Sequence, residues 1–369
     1  MTENITPNEP SDRRDATADG GALARREQLR RRFRRGFLLG LPLLLLTGEI
    51  AARIHYAGEF PSSAVWHPRR GHAHRPGWEG WEGKPRRGVR ARFNSLGLRD
   101  DRELERRFAG RRIAIVGDSV AFGYRLPAAE TIARRVEARL QGSQGEPVQV
   151  VNVGCYGYGV GDARDWLTEL APKLELDRIV LVLCHNDFAH EHKQPPRPSE
   201  LLTFARDRSG LVFALARKLH QLQRSLSQLS GAAMTPTEVR NRFRVPSEEA
   251  RAAGRGVADE VLALVREAEE RGARVGVVLW PGYDQVAEER AGAGLPPEHL
   301  ELERRLGERT PGLPLVLMQR RLSQVELDAV FLDHCHPSAE GSRRIAEAAL
   351  DALAELDRRA SEGGDAPHR

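Results

Sequence analysis

"RIAIVGDSVAFG", residues 112–123, runs four apolar residues into a Gly-Asp-Ser triplet and on into a second apolar stretch that ends in glycine. Ile113–Val116 shows no polar alternation. Such a run suits a strand buried on both faces of a parallel sheet. Three further runs have the same character: "VQVVNVG" (Val148–Gly154), "RIVLVLCHND" (Arg178–Asp187) and "RVGVVLWPG" (Arg274–Gly282). Helical stretches separate them, among them "AETIARRVEARL" and "GVADEVLALVREAEERG", the second stopped by Gly272. The expected class is α/β, a parallel sheet flanked by helices. Ser119 would then stand at the carboxyl edge of the sheet, where open α/β folds place their sites. A helix starting there offers free N–H groups and the positive end of its dipole.

The chain closes with "VFLDHCHPSAEG" (Val330–Gly341), which puts an Asp, two His and a Cys in four consecutive positions. Two chemistries fit. Asp333 and His336 can be the acid and base of a hydrolase. Alternatively His334 or His336, Cys335, Cys184 and His185 can be read as a tetrahedral zinc set. Adjacent residues on an extended segment point to opposite faces, which disfavours the zinc reading. No metal and no cofactor are expected.

A Ser, a Gly after the second run, an Asn after the third and a late Asp-x-x-His follow one another in order. Together they resemble the SGNH (GDSL) hydrolase superfamily over about residues 93–356, and "FNSLGLRD" (Phe93–Asp100) resembles its membrane-anchored subgroup. The resemblance implies a flavodoxin-like parallel sheet. It implies Ser119 as nucleophile, His336 as general base and Asp333 as the group that orients the imidazole. It implies an oxyanion hole made by the N–H of Ser119, the N–H of Gly154 and the side-chain amide of Asn186. Cys184 departs from the usual pattern, since a glycine is ordinary two residues before that Asn. Asp118 and Asp187 are read as braces for their loops, and His334 as an exposed turn residue.

Residues outside the domain set its surroundings. The 369-residue chain carries a net charge of +5, and its basic residues are nearly all arginine, with only Lys84, Lys173, Lys193 and Lys218 as exceptions. A bias of that kind reads as composition, so no nucleic-acid partner is expected. Three cysteines, Cys155, Cys184 and Cys335, make no disulfide framework and read as small buried side chains. "RREQLRRRFRRG" precedes an uncharged stretch, "GFLLGLPLLLLT" (Gly36–Thr47), which extends to Ile54. Those nineteen residues reach about 28 Å as a helix, near the ~30 Å of a hydrocarbon core. Glu49 and Arg53, spaced i, i+4, can pair at the far interface. The expectation is an uncleaved signal anchor with its arginines cytoplasmic; "RRGFLL" (Arg34–Leu39) also allows an export signal that is removed.

The expected organisation is a disordered, Arg-rich cytoplasmic tail (1–35), a transmembrane anchor (36–54), an irregular linker (55–92) and a hydrolase domain (93–357). A helical insertion occupies 190–250, and 358–369 is a disordered tail. Trp66, Trp78 and Trp81 in the linker are expected to pack on the domain. In the insertion, Leu215, Leu219, Leu222, Leu226 and Leu229 recur at helical spacing, and this face is expected to pack on the core. The functional expectation is an extracytoplasmic serine esterase acting on O-acyl groups of cell-surface glycans or on lipid esters. An O-acyltransferase and a non-catalytic binding or assembly module on the same scaffold are the alternatives. Oligomeric state is not legible.

Overall fold

Ile113–Val116 forms the middle of a strand with every side chain buried. The structure, a computed structural model, describes residues 15–56, 62–82, 88–141, 145–189, 200–229 and 247–362. Its central sheet has five strands: β5 (Arg111–Gly117), β6 (Val148–Gly154), β7 (Arg178–Cys184), β8 (Arg274–Trp280) and β9 (Leu315–Leu317). They lie in the order β6-β5-β7-β8-β9, and every pairing is parallel. That is the flavodoxin-like order, with the first strand of the sheet at the switch point. The first four match the sequence runs. β9 was not read, because three residues are too short for a pattern.

Alternation divides the strands between two cores. Ile113 and Ile115 pack with Val136 of α3 (Ile132–Gln141) and with Ile345 and Leu353 of the last long helix, Ala339–Glu362. Ala114 and Val116 face the other way. They pack with Trp166 of α4 (Val160–Leu170), Val261 of the helix Ser247–Glu269 and Leu302 of the helix Pro297–Arg309. Burying each of these Val, Leu and Ile side chains contributes about 1.5–3 kcal/mol. This two-sided demand explains why β5, β7 and β8 read as nearly unbroken apolar runs, while β6 admits Gln149 and a buried, hydrogen-bonded Asn152.

The segment between the amino-terminal helix and the domain, expected to be irregular, contains two antiparallel ribbons. β1 (Ala64–His67) pairs with β2 (Gly71–His74), and β3 (Glu79–Glu82) pairs with β4 (Val89–Arg92). Short strands with Gly, His and Trp carry no clean period, so they were invisible in the sequence. Trp78 is buried, in a cluster with Phe93 and Phe122, while Trp66 and Trp81 are half-buried.

The amino-terminal helix α1 spans Asp15–His55, so the part of the expected tail from 15 to 35 is helical here. Residues 1–14 and 363–369 lie outside the described residues, and the last helix continues through 358–362. The stretch Arg25–His55 is long and apolar enough to cross a membrane and is almost wholly exposed. Its far end docks on the insertion, which forms α5 (Glu200–Arg208) and α6 (Gly210–Leu229). Glu49 accepts from the N–H groups of Gly210 and Leu211, both at 2.9 Å, and from Ser209 Oγ. It also pairs with Arg53, as its spacing implied. The expectation that the leucine face of α6 packs on the core is corrected for Leu215, Leu219 and Leu222, which are exposed. The helix is held at its amino end by α1 instead. The side chains of Leu226 and Leu229 lie outside the described residues.

Candidate active site

Gly117 ends β5, Asp118 turns the chain, and Ser119–Phe122 form one helical turn, α2. Asp118 caps that turn: its Oδ1 accepts from Val120 N at 2.8 Å. The far end is closed by Arg99, which donates to the carbonyls of Phe122, Gly123 and Leu126. Arg99 belongs to the Phe93–Asp100 block. In the same block Asn94 Oδ1 accepts from the N–H groups of Leu96 and Leu98. The block noted in the sequence therefore fastens the serine turn from behind.

The late His-rich stretch comes to the same sheet edge. Its loop is closed by a bridge between Phe331 and Pro337 and by Leu332 N donating to His336 O. Trp280 at the end of β8 donates its indole N–H to Cys335 O at 2.7 Å, tying the loop to the sheet. His336 Nε2 lies 3.0 Å from Ser119 Oγ, and its Nδ1 lies 2.9 Å from Asp333 Oδ2. The ring of Tyr124 covers His336, with centroids 4.3 Å apart.

Asp333 is held ionised. Burial opposes the charge, but the backbone N–H groups of His336 and Cys335 and the His336 imidazole outweigh it and bring the carboxyl down to about 2. His334 is different: its side chain is 61% exposed and its carbonyl accepts from Tyr283 N. The zinc set named in the sequence does not gather into one array. Among the described residues, the group with ligand spacing is Asp333, His334 and Cys335, and Asp333 in it already serves His336.

Asn186 lies on the helical turn His185–Ala189 that follows β7. Cys184, where a glycine was ordinary, ends the strand, and Asp187 Oδ2 accepts from its N–H at 2.8 Å. Asp187 braces the turn in this way. Asn186 Nδ2 donates to Asp118 Oδ2 at 3.1 Å, and Asn186 Oδ1 is buried without a partner among the described residues. Burial pushes both Asp118 and Asp187 up, and for Asp187 the neighbouring Asp118 adds to it.

Gly154 is placed differently from its expected role. Its N–H donates to Asn152 Oδ1 at 3.0 Å. A Cβ on Gly154 would collide with the backbone of Ala121 and Phe122, so the glycine is demanded by the close approach of β6 to α2. Three residues on, Gly157 is exposed with φ +65°, open space where a Cβ would be, and no hydrogen bond from its N–H among the described residues. It follows Tyr156, whose ring packs on Phe122 at 4.3 Å and on Tyr124 at 5.7 Å. Sequence reading passed over Gly157 because it looks for the glycine nearest the strand. The tandem Tyr-Gly of "YGYG" (Tyr156–Gly159) was the available signal.

Residues 115–344 match the family model described as the GDSL-like lipase/acylhydrolase family. Solved structures align at low identity. A lipolytic protein of the G-D-S-L family from Veillonella parvula is 15% identical over 65% of this chain and 97% of its own, with a TM-score of 0.40. A psychrotrophic esterase from Pseudoalteromonas is 13% identical over 67% of this chain and 99% of its own, at 0.39. A mutant acetyl-xylooligosaccharide esterase from Geobacillus is 17% identical over 66% of this chain and 94% of its own, at 0.39. No curated protein matches the chain.

Proposed function

The chain belongs to the GDSL-like lipase/acylhydrolase family, and from that premise we propose that it is a serine esterase working through an acyl-enzyme on Ser119. The observation that carries this reading is the unbroken chain of contacts Ser119 Oγ to His336 Nε2 to Asp333. Ser119 Oγ attacks the ester carbonyl carbon as its proton passes to His336 Nε2. The tetrahedral intermediate collapses, the C–O bond to the alcohol breaks, and the alcohol leaves with that proton. Water then attacks the acyl group, gives a proton to His336, and the acid departs as Ser119 recovers its own. Asp333, ionised, keeps the imidazole in the tautomer with Nδ1–H and stabilises the imidazolium between steps.

The oxyanion would be met by three N–H groups. Ser119 N–H stands at the first position of α2, with no hydrogen-bond acceptor among the described residues. Asn186 has a second Nδ2–H beyond the one held by Asp118, which fixes the plane of the amide. The third donor in this reading is Gly157, because the N–H of Gly154 is already engaged. Each such donor is worth about 3–4 kcal/mol of transition-state stabilisation.

The proposed setting is the outer face of a membrane, with α1 as a single anchor and the hydrolase domain extracytoplasmic. The proposed substrates are O-acyl esters of cell-surface glycans or lipids. The exposed apolar length of Arg25–His55 supports the anchor. The test is a fluorophosphonate probe together with a panel of activated esters, acylated glycans and lipid esters. Labelling and hydrolysis should both vanish in Ser119→Ala. Labelling that persists in that variant would overturn the assignment.

A further inference from the structure

We propose that His72, in the ribbon that links the anchor helix to the domain, is a positioning residue for the oxyanion hole. The inference rests on the reading of Gly157 as a donor. His72 Nε2 lies 2.6 Å from the carbonyl oxygen of Tyr156. The return contact comes from Tyr158, whose hydroxyl donates to His72 O at 2.7 Å, and the two rings meet edge to face at 5.2 Å. One residue of β2 therefore grips the Tyr156–Tyr158 turn on both sides of Gly157.

The consequence follows from peptide geometry. The Tyr156 carbonyl and the Gly157 N–H belong to one planar unit, in which they point in opposite directions. Holding the carbonyl oxygen aims the N–H. Gly157 itself has no side chain to pack and open space around it, so its own residue cannot hold that plane. A carbonyl only accepts, so His72 must carry its hydrogen on Nε2. Burial lowers the His72 pKa, which favours the neutral ring with that single proton. Tyr156 adds a second restraint through its ring contacts with Phe122 and Tyr124. The linker thus enters the site by orienting a donor, not by touching substrate.

Kinetics of the full-length protein in detergent, on one activated ester, test this. His72→Phe keeps a ring against Tyr158 and removes the donor. It should lower kcat about 10- to 100-fold, less than the ~10²–10³ for removing an oxyanion donor outright, with KM changed less than about twofold. His72→Gln, whose amide can reach the same carbonyl, should recover most of the loss. Gly157→Ala should lower kcat, and adding His72→Phe to it should lower kcat little further. A kcat loss in Gly157→Ala with none in His72→Phe would overturn the positioning role and leave the oxyanion reading standing. No loss in either would overturn both. A loss in His72→Phe that Gln does not recover, or that adds fully to Gly157→Ala, would show a merely structural contact and overturn the inference.

Discussion

Ser119 Oγ and His336 Nε2 stand 3.0 Å apart although 217 positions separate them in the chain. The histidine reaches that point because its loop is tied to β8 through Trp280 and to Asp333 through two backbone N–H groups. The neighbouring His334 shares the loop but not the contact. In the proposed mechanism, His336→Ala should lower kcat/KM by about 10⁴-fold or more, as loss of a triad base does elsewhere. His334→Ala should stay within about threefold, since its side chain is mostly exposed and its structural contact is made by the backbone. Steady-state kinetics of both variants decide it; a severe loss in His334→Ala would sink the assignment of His336 as the base.

Asp118 joins two parts of the site, capping α2 at Val120 and holding Asn186. Asp118→Ala should cost about 1 kcal/mol of stability for the lost cap and lower kcat about 10- to 100-fold through a freed amide. Asp118→Asn can keep the cap but sets an N–H₂ against Asn186 Nδ2. It should therefore melt nearer the wild type yet still lose kcat. Wild-type turnover in both variants would show that Asn186 needs no orientation by Asp118.

Glu82 gives a pH-dependent term in stability. Burial pushes its carboxyl up to about 7, against weaker opposing pulls from Arg99 and the Arg125 N–H. The folded state holds the proton more tightly than the unfolded chain, whose carboxyl titrates near ~4.3. Stability from this group is therefore complete below about pH 4.3 and lost as pH rises to about 7. Glu82→Gln cannot lose a proton. Its melting temperature relative to wild type should rise between pH 4.5 and pH 7.5, measured by thermal denaturation. A difference that stays flat over that range would refute the raised carboxyl.

The two glycines of the "GCYGYG" stretch should respond differently to alanine. Gly154→Ala drives a Cβ into the backbone of Ala121 and Phe122 and should destabilise by more than about 3 kcal/mol or prevent folding. Gly157→Ala meets open space and pays only for its left-handed backbone, about 1–2 kcal/mol. Urea denaturation of both measures this. Equal, small losses would contradict the close packing of β6 on α2.

For the anchor, a phosphatase fused after residue 100 should be active and a cytoplasmic reporter at the same point inactive. The reverse pattern would overturn the proposed topology.

The sequence by itself determined the α/β class, four of the five strands of the sheet, and the serine, asparagine and histidine blocks. The reason is that a strand buried on both faces must be apolar along its whole length, and such runs survive in one dimension. Order along the chain also pointed to the candidate site, because the serine and asparagine blocks follow β5 and β7, which are parallel and so finish at one edge, while the histidine block reaches that edge only through the segment after β9. What it could not decide was which group faces which. Gly154 and Gly157 are both glycines after an apolar run, and only the packing of β6 on α2 shows that one is a spacer with an engaged N–H. His72 lies in a segment without period, and its reach to Tyr156 spans 84 positions. The exposure of Leu215, Leu219 and Leu222 was likewise a tertiary matter: a helical stripe states that a face is apolar, while what stands opposite it depends on where α1 holds the helix. Hydrogen-bond direction and close backbone approach are properties of pairs brought together by the fold, and no pattern along one strand encodes them.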